Sequence, residues 1–198
     1  MGFEKQIPGI YRLRIPFESL FTSVFLIESG EQTALVDCAT TGEDVDAYII
    51  PALSSMGYSI FDISCLVLTH DHLDHAGGLS RILELHPDLK VVREERELLC
   101  DVCTYALPGH TPDCIGVIDA RSGTLISGDA LQGAGVGEYR TNVCDKDAYF
   151  LSIDRIRADD RIVNILFSHE YEPWYKDSVF GRERVLSCLS ECVDFVKT

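Results

Sequence analysis

Three histidines and two aspartates fall within one seven-residue run, Thr69-His70-Asp71-His72-Leu73-Asp74-His75. Imidazole nitrogen is the commonest protein ligand for zinc, and carboxylate oxygen is the next donor that a borderline-soft ion accepts. The run holds more donors than one tetrahedral ion needs, so it points to two adjacent ions, or to one ion and a base. It follows the apolar stretch Cys65-Leu66-Val67-Leu68 and precedes Ala76-Gly77-Gly78-Leu79, which reads as a loop between a strand and a helix. The bland alternative is a solvated, His-rich surface loop.

The rest of the chain disfavours that alternative. Pro108-Gly109-His110-Thr111-Pro112 is a tight turn carrying one histidine. Ser127-Gly128-Asp129 ends the apolar run Thr124-Leu125-Ile126, and Leu166-Phe167-Ser168-His169 ends another that begins at Ile162. Ligand-type side chains where buried strands stop are how an α/β scaffold assembles a site.

With these four elements in this order, the chain resembles the metallo-β-lactamase-fold hydrolases. His70, His72, Asp74 and His75 match the family signature HxHxDH, and His110, Asp129 and His169 match its later ligands. The resemblance spans roughly Val24 to His169. It implies that His70, His72 and His110 hold a first metal, that Asp74, His75 and His169 hold a second, and that Asp129 bridges them. Two-metal hydrolytic sites keep their ions about 3.5–4 Å apart and convert a water into a nucleophile near neutral pH. Asp74 would also aim that nucleophile, which makes it the candidate catalytic residue. The implied cofactors are two divalent ions, zinc first, with manganese or iron as alternatives. The implied fold is a four-layer αββα sandwich of the α/β (α+β) class.

Other residues read more weakly. Asp37, in Leu35-Val36-Asp37-Cys38, matches the family's strand-end aspartate behind the metals, and a plain loop cap is nearly as good a reading. Asp71 is expected behind the ligands or facing solvent, since the ligand count is already filled. His86, before Pro87, reads as an ordinary helix C-terminal residue. Tyr171 and Tyr175 follow His169 and are expected on the surface or in packing. Cys38 beside Asp37 is expected to pack.

The chain has 198 residues, enough for one domain spanning 1–198 with a sizeable core. Net charge is −15, without a Lys/Arg-rich stripe, which disfavours nucleic acid as a partner. No apolar run reaches membrane-span length and the N-terminus lacks a leader pattern, so a soluble, cytoplasmic protein acting on a small-molecule substrate is expected. Eight cysteines are then reduced thiols. Cys100-Asp101-Val102-Cys103 is a CxxC without a second pair to complete a zinc cluster, and the acidic segment 94–99 before it reads as helical.

Hydropathy supplies the positioning elements. Ile10 to Ile15, Thr22 to Ile27 and Glu31 to Cys38 read as strands, and Asp44 to Met56 as a helix that Pro51 kinks or delays. Ile115–Ile118 and Leu125–Ile126 form a hairpin around Arg121-Ser122-Gly123, and a closing helix presents Val185, Leu186, Leu189, Val193 and Val196.

Departures from particular subfamilies narrow the expected function. Class B β-lactamases lack the bridging aspartate, so Asp129 argues against them. Glyoxalase II shares the full ligand set but carries a C-terminal helical region for glutathione, and only about thirty residues follow His169, too few for such a region. Glutathione thioesters are therefore expected to be poor substrates. Flavodiiron proteins place Glu where His72 stands, and tRNA 3′-processing nucleases need a basic arm. The expected activity is dinuclear zinc-dependent hydrolysis of a small thioester, ester or lactone. The alternatives are a phosphodiester hydrolase using the same two-metal site, a non-catalytic metal-binding sensor, and a mononuclear iron sulfur dioxygenase. Specificity is expected in loops such as Leu131 to Asp145.

Overall fold

The computed structural model describes residues 1–133, 135–136, 142–173 and 175–197. Residues 134 and 137–141 of the expected specificity loop lie outside that range. The chain forms two compact units, residues 1–93 with 98–100 and residues 94–97 with 101–198.

The first unit is built on a six-stranded mixed sheet in chain order: β1 (Glu4–Ile7), β2 (Ile10–Phe17), β3 (Leu20–Ser29), β4 (Gln32–Val36), β5 (Cys65–Val67) and β6 (Lys90–Val92). β1 to β4 are antiparallel neighbours, whereas β4, β5 and β6 run parallel. Parallel strands covered on both faces read as continuous apolar runs, and Thr33 to Val36 and Cys65 to Val67 are all buried. Leu13, Ile15, Val24, Leu26, Leu35 and Leu66 pack with Val45, Ile49, Leu53 and Ile82 into its core.

The helix expected over Asp44 to Met56 is broken into three. A short α1 (Gly42–Asp44), capped by Thr41, runs into a wide π turn over Val45–Ile49, and α2 (Ile50–Ser55) starts with Pro51 in its first turn. Proline lacks an N–H and its ring clashes with the carbonyl four residues back, so the wide turn absorbs the conflict just before it.

After β5 come two short helices, α3 (Leu73–Ala76) and α4 (Leu79–Leu85), the latter ending on His86 as expected. Between them, Gly77 permits a close approach. A Cβ there would lie 1.9 Å from the Thr40 carbonyl oxygen and 2.5 Å from that of Leu73. We expect Gly77→Ala to destabilise the fold by about 3 kcal/mol, the upper range for forced overpacking against backbone. A urea unfolding midpoint within error of the parent's would refute this.

The second unit is built on strands of the other six-stranded sheet. Its order is β12 (Ser178–Phe180), β11 (Asn164–Leu166), β10 (Thr124–Ile126), β9 (Ile115–Asp119), β8 (Val102–Ala106) and β7 (Glu97–Leu99). β9 and β10 form the expected hairpin, and β10 and β11 are parallel neighbours. Segment 94–99 is not helical. It bends into β7, with Thr104 Oγ1 donating to the Glu94 carbonyl and accepting from Arg96 N–H. The apolar pair Leu98-Leu99 and the left-handed turn at Asp101 (φ 60°) favour a strand and reversal over a helix.

Helices α5 (Lys146–Ala158) and α6 (Arg182–Lys197) belong to this unit, and its core joins Tyr149, Ile153 and Ile156 to Ile118, Leu125 and Ile165. On α6 the buried face is Val185, Cys188, Leu189, Cys192 and Val196, so two cysteines sit where Leu186 and Val193 were expected. Among the described residues no helix is long and apolar enough to cross a membrane.

Candidate metal centre

Each unit contains one pair of parallel strands whose C-terminal ends release ligand-type residues together. In the first unit, Asp37 follows β4 and Thr69-His70 follow β5, joined by Asp37 N–H donating to the Val67 carbonyl at 2.8 Å. In the second, Asp129 follows β10 and His169 follows β11, joined by Ser127 N–H donating to the Leu166 carbonyl at 3.1 Å. Carboxyl ends of parallel strands are where open α/β sheets place their sites.

In the first unit, Asp37 is buried in the left-handed region (φ 63°), a conformation aspartate tolerates better than most residues. Its carboxylate accepts from Thr69 N–H at 2.8 Å and from Thr69 Oγ1 at 2.9 Å, and it lies 2.7 Å from His75 Nδ1. A carboxylate accepts only, so His75 donates from Nδ1 and turns its Nε2 away from Asp37. That Nε2 is 3.3 Å from Asp74 Oδ2. Thr69 spends its hydroxyl proton on Asp37, so it accepts from His70 Nδ1 at 3.2 Å, and His70 turns its Nε2 away from Thr69. The His70 ring lies 4.6 Å from that of His72 and 4.2 Å from that of His75, centroid to centroid. His72 is exposed and caps α3, while Asp74 and His75 share that helix's single turn. Thr22 Oγ1 donates to the Asp74 carbonyl at 3.0 Å and ties α3 to β3.

In the second unit, His110 Nδ1 lies 2.5 Å from the Asn142 carbonyl oxygen, an acceptor, so the ring donates there and turns its Nε2 away from it. Asp129 faces two histidines with different oxygens, Oδ1 at 3.3 Å from His169 Nε2 and Oδ2 at 3.9 Å from His110 Nε2. Helix α5 backs this arrangement. A Cβ on Gly109 would sit 2.6 Å from Tyr149 Cα, so the His110 turn lies directly on the helix. The Tyr149 hydroxyl donates to the Gln132 carbonyl at 2.8 Å, and Gln132 Nε2 donates to the Asp129 carbonyl at 2.8 Å.

The seven expected donors thus fall into two groups, His70, His72, Asp74 and His75 in one unit and His110, Asp129 and His169 in the other. Asp71 stands apart, 64% exposed and ion-paired with Arg93. Tyr171 packs near His169 with ring centroids 5.9 Å apart, and Tyr175 is exposed and donates to Glu172. Cys38 is buried, and burial, with the neighbouring Asp37 charge, pushes its thiol up to about 12. Thr69, Gln132, Tyr149 and the Asn142 carbonyl were not singled out from sequence. Thr69 had a signal, its place directly before the motif, whereas a backbone carbonyl has none.

Because three donors converge on Asp37, an asparagine there keeps the size and the backbone preference but leaves one acceptor oxygen for three donors. We expect Asp37→Asn to weaken metal binding about 10–100-fold, the usual cost of losing an outer carboxylate behind a histidine ligand. Competition with a chromophoric chelator measures it, and unchanged affinity would remove Asp37 from the centre.

The profile of the metallo-β-lactamase superfamily matches residues 19–99. Hydroxyacylglutathione hydrolase 1 of Vibrio vulnificus is 33% identical over 123 residues, covering 54% of this chain and 48% of that protein. The β-lactamase-like protein 2 homolog of Drosophila melanogaster is 28% identical over 164 residues, 68% of this chain and 54% of its own length. A metallo-β-lactamase from Erythrobacter litoralis superposes with a TM-score of 0.72 at 20% identity, over 98% of this chain and 95% of that one. The fold is therefore the α/β fold of the metallo-β-lactamases, as expected. Profile, fold and motif order agree in the likeness they show, which is to the metallo-β-lactamase superfamily. The chain spans about half the length of these two curated relatives.

Proposed function

We propose that this chain is a metal-dependent hydrolase acting on a small thioester, ester or lactone. His70, His72 and His110 are assigned to one divalent ion, Asp74, His75 and His169 to a second, and Asp129 to both, with zinc as the metal. The observation that carries the proposal is the set of Nδ1 partners behind three of the histidines. Asp37, Thr69 and the Asn142 carbonyl hold Nδ1 of His75, His70 and His110, which leaves Nε2 of each ring as the atom that would bind a metal. The donor set therefore fits zinc, being imidazole nitrogen with carboxylate oxygen.

Bound there, the ions would supply Lewis acidity and lower the pKa of water. The chain's own residues do the rest. Asp74 and Asp129, whose side chains are 13% and 15% exposed, are the carboxylates open enough to meet solvent, and Asp74 accepts a hydrogen bond from the attacking water and orients it. The relatives named hydroxyacylglutathione hydrolases support the thioester reading. The net charge of −15 supports small substrates over polyanions.

A panel assay on metal-loaded protein tests the assignment, pairing thioesters, aryl esters and lactones against phosphodiesters, RNA and DNA. Turnover of the carbonyl substrates, lost in His70→Ala, is expected. Efficient nuclease activity lost in the same variant would overturn the substrate class while keeping the metal centre.

A further inference from the structure

In the second unit a cavity of about 270 Å³ opens beside β12 and α6, and Lys176, Arg184, Glu191 and Cys188 line it. Lys176 Nζ is held 3.1 Å from Glu191 Oε2 at its rim. Cys188 is otherwise 3% exposed, and Cys192, one helical turn further on, is 1% exposed. Spacing of i and i+4 stacks the two side chains on one face, thiol beside thiol. The two thiols are driven apart in acidity. Cys188 is lowered by the Cys192 hydrogen bond and by the Lys176 charge, while Cys192 is raised by that same bond and by burial. Cys188 is therefore the more acidic thiol of the pair, on a cavity wall that Lys176 also lines.

We propose that Cys188 is a site of oxidation by small hydroperoxides. Its thiolate sulfur attacks one peroxide oxygen. A sulfur–oxygen bond forms, the oxygen–oxygen bond breaks, and the sulfur gives up two electrons to become a sulfenic acid. The leaving oxygen takes a proton from solvent and departs as water or an alcohol. Cβ atoms at i and i+4 of a helix are about 5–6 Å apart, against about 3.5–4.5 Å in a disulfide. Helix α6 therefore keeps Cys192 from closing on the product, which stays a sulfenic acid.

The test uses the full chain, limiting hydrogen peroxide and dimedone as the sulfenic-acid trap, with each cysteine quantified by peptide mass spectrometry. Cys114 is the internal control, since it is also 3% exposed but its thiol is pushed up to about 12, chiefly by burial. Cys188 should be trapped about tenfold faster than Cys114, the scale expected between a thiolate and a thiol at equal access. Cys192→Ala and Lys176→Met should each slow trapping several-fold with unchanged circular dichroism, and Cys192→Ser, which keeps a donor, should recover part of the rate. Equal trapping of Cys188 and Cys114 would overturn the proposal, as would a Cys188–Cys192 disulfide as the main product.

Discussion

Asp74→Asn should lose at least about two orders of magnitude in turnover, the scale of a group that positions a reacting water or carries its proton, while Asp71→Asn stays within a few-fold of the parent. The two carboxylates lie three residues apart on the same motif and carry the same charge, so the comparison isolates position. Asp71 spends its carboxylate on Arg93 in solvent, and an exposed ion pair contributes little. Asp74 points its Oδ2 at His75 Nε2, 3.3 Å away, where an amide would offer one acceptor oxygen in place of two. Its backbone is held independently by Thr22, so the substitution leaves α3 in place. Steady-state kinetics against the best panel substrate decides this. Equal losses in the two variants would remove Asp74 from its role or give Asp71 one that its exposure does not suggest.

The part of this centre legible in the sequence was the part carried by side-chain type. Histidine and aspartate at HxHxDH spacing, and single donors where apolar runs stop, marked all seven candidates without any knowledge of pairing. The strand pairing explains why those stops matter. β4 with β5 and β10 with β11 are parallel, so their C-terminal ends lie side by side and Asp37 meets Thr69 as Ser127 meets Leu166. What stayed hidden was carried by backbone and by partners distant in sequence. The Asn142 carbonyl holding His110 has no side-chain signature, and Gln132 shows its use only once Tyr149 and Asp129 flank it. The broken helix before Met56 was half legible, since Pro51 announced a conflict but not the π turn that resolves it. The α6 face was legible through Val185, Leu189 and Val196, whereas Cys188 and Cys192, which bury about as well as leucine there, fell outside the aliphatic pattern.

Purified protein supplied with zinc or manganese should bind about two ions per chain, as expected for a two-metal hydrolytic centre, and Asp129→Ala should lower that count by at least one. The geometry behind this is the divergence of the carboxylate. Oδ1 faces His169 and Oδ2 faces His110, so each oxygen lies beside a different imidazole, as a shared ligand must. Neither histidine depends on the Asp129 side chain for its own placement. His169 follows β11, and His110 is held by the Asn142 carbonyl and backed by α5. The alanine variant therefore removes the shared ligand while leaving the two rings where they are. Asp129→Asn gives a second reading, since it keeps the volume and the Gln132 contact to the backbone carbonyl but loses the charge that offsets two cations. Elemental analysis after gel filtration gives the count. Thermal unfolding with and without metal gives an independent sign of binding, because a ligand that binds only the folded state raises its stability with the logarithm of ligand concentration over Kd. A parent count of one at saturating metal, or an alanine variant that still holds two, would dismantle the bridge and leave Asp129 as a neighbour of two histidines rather than their common ligand.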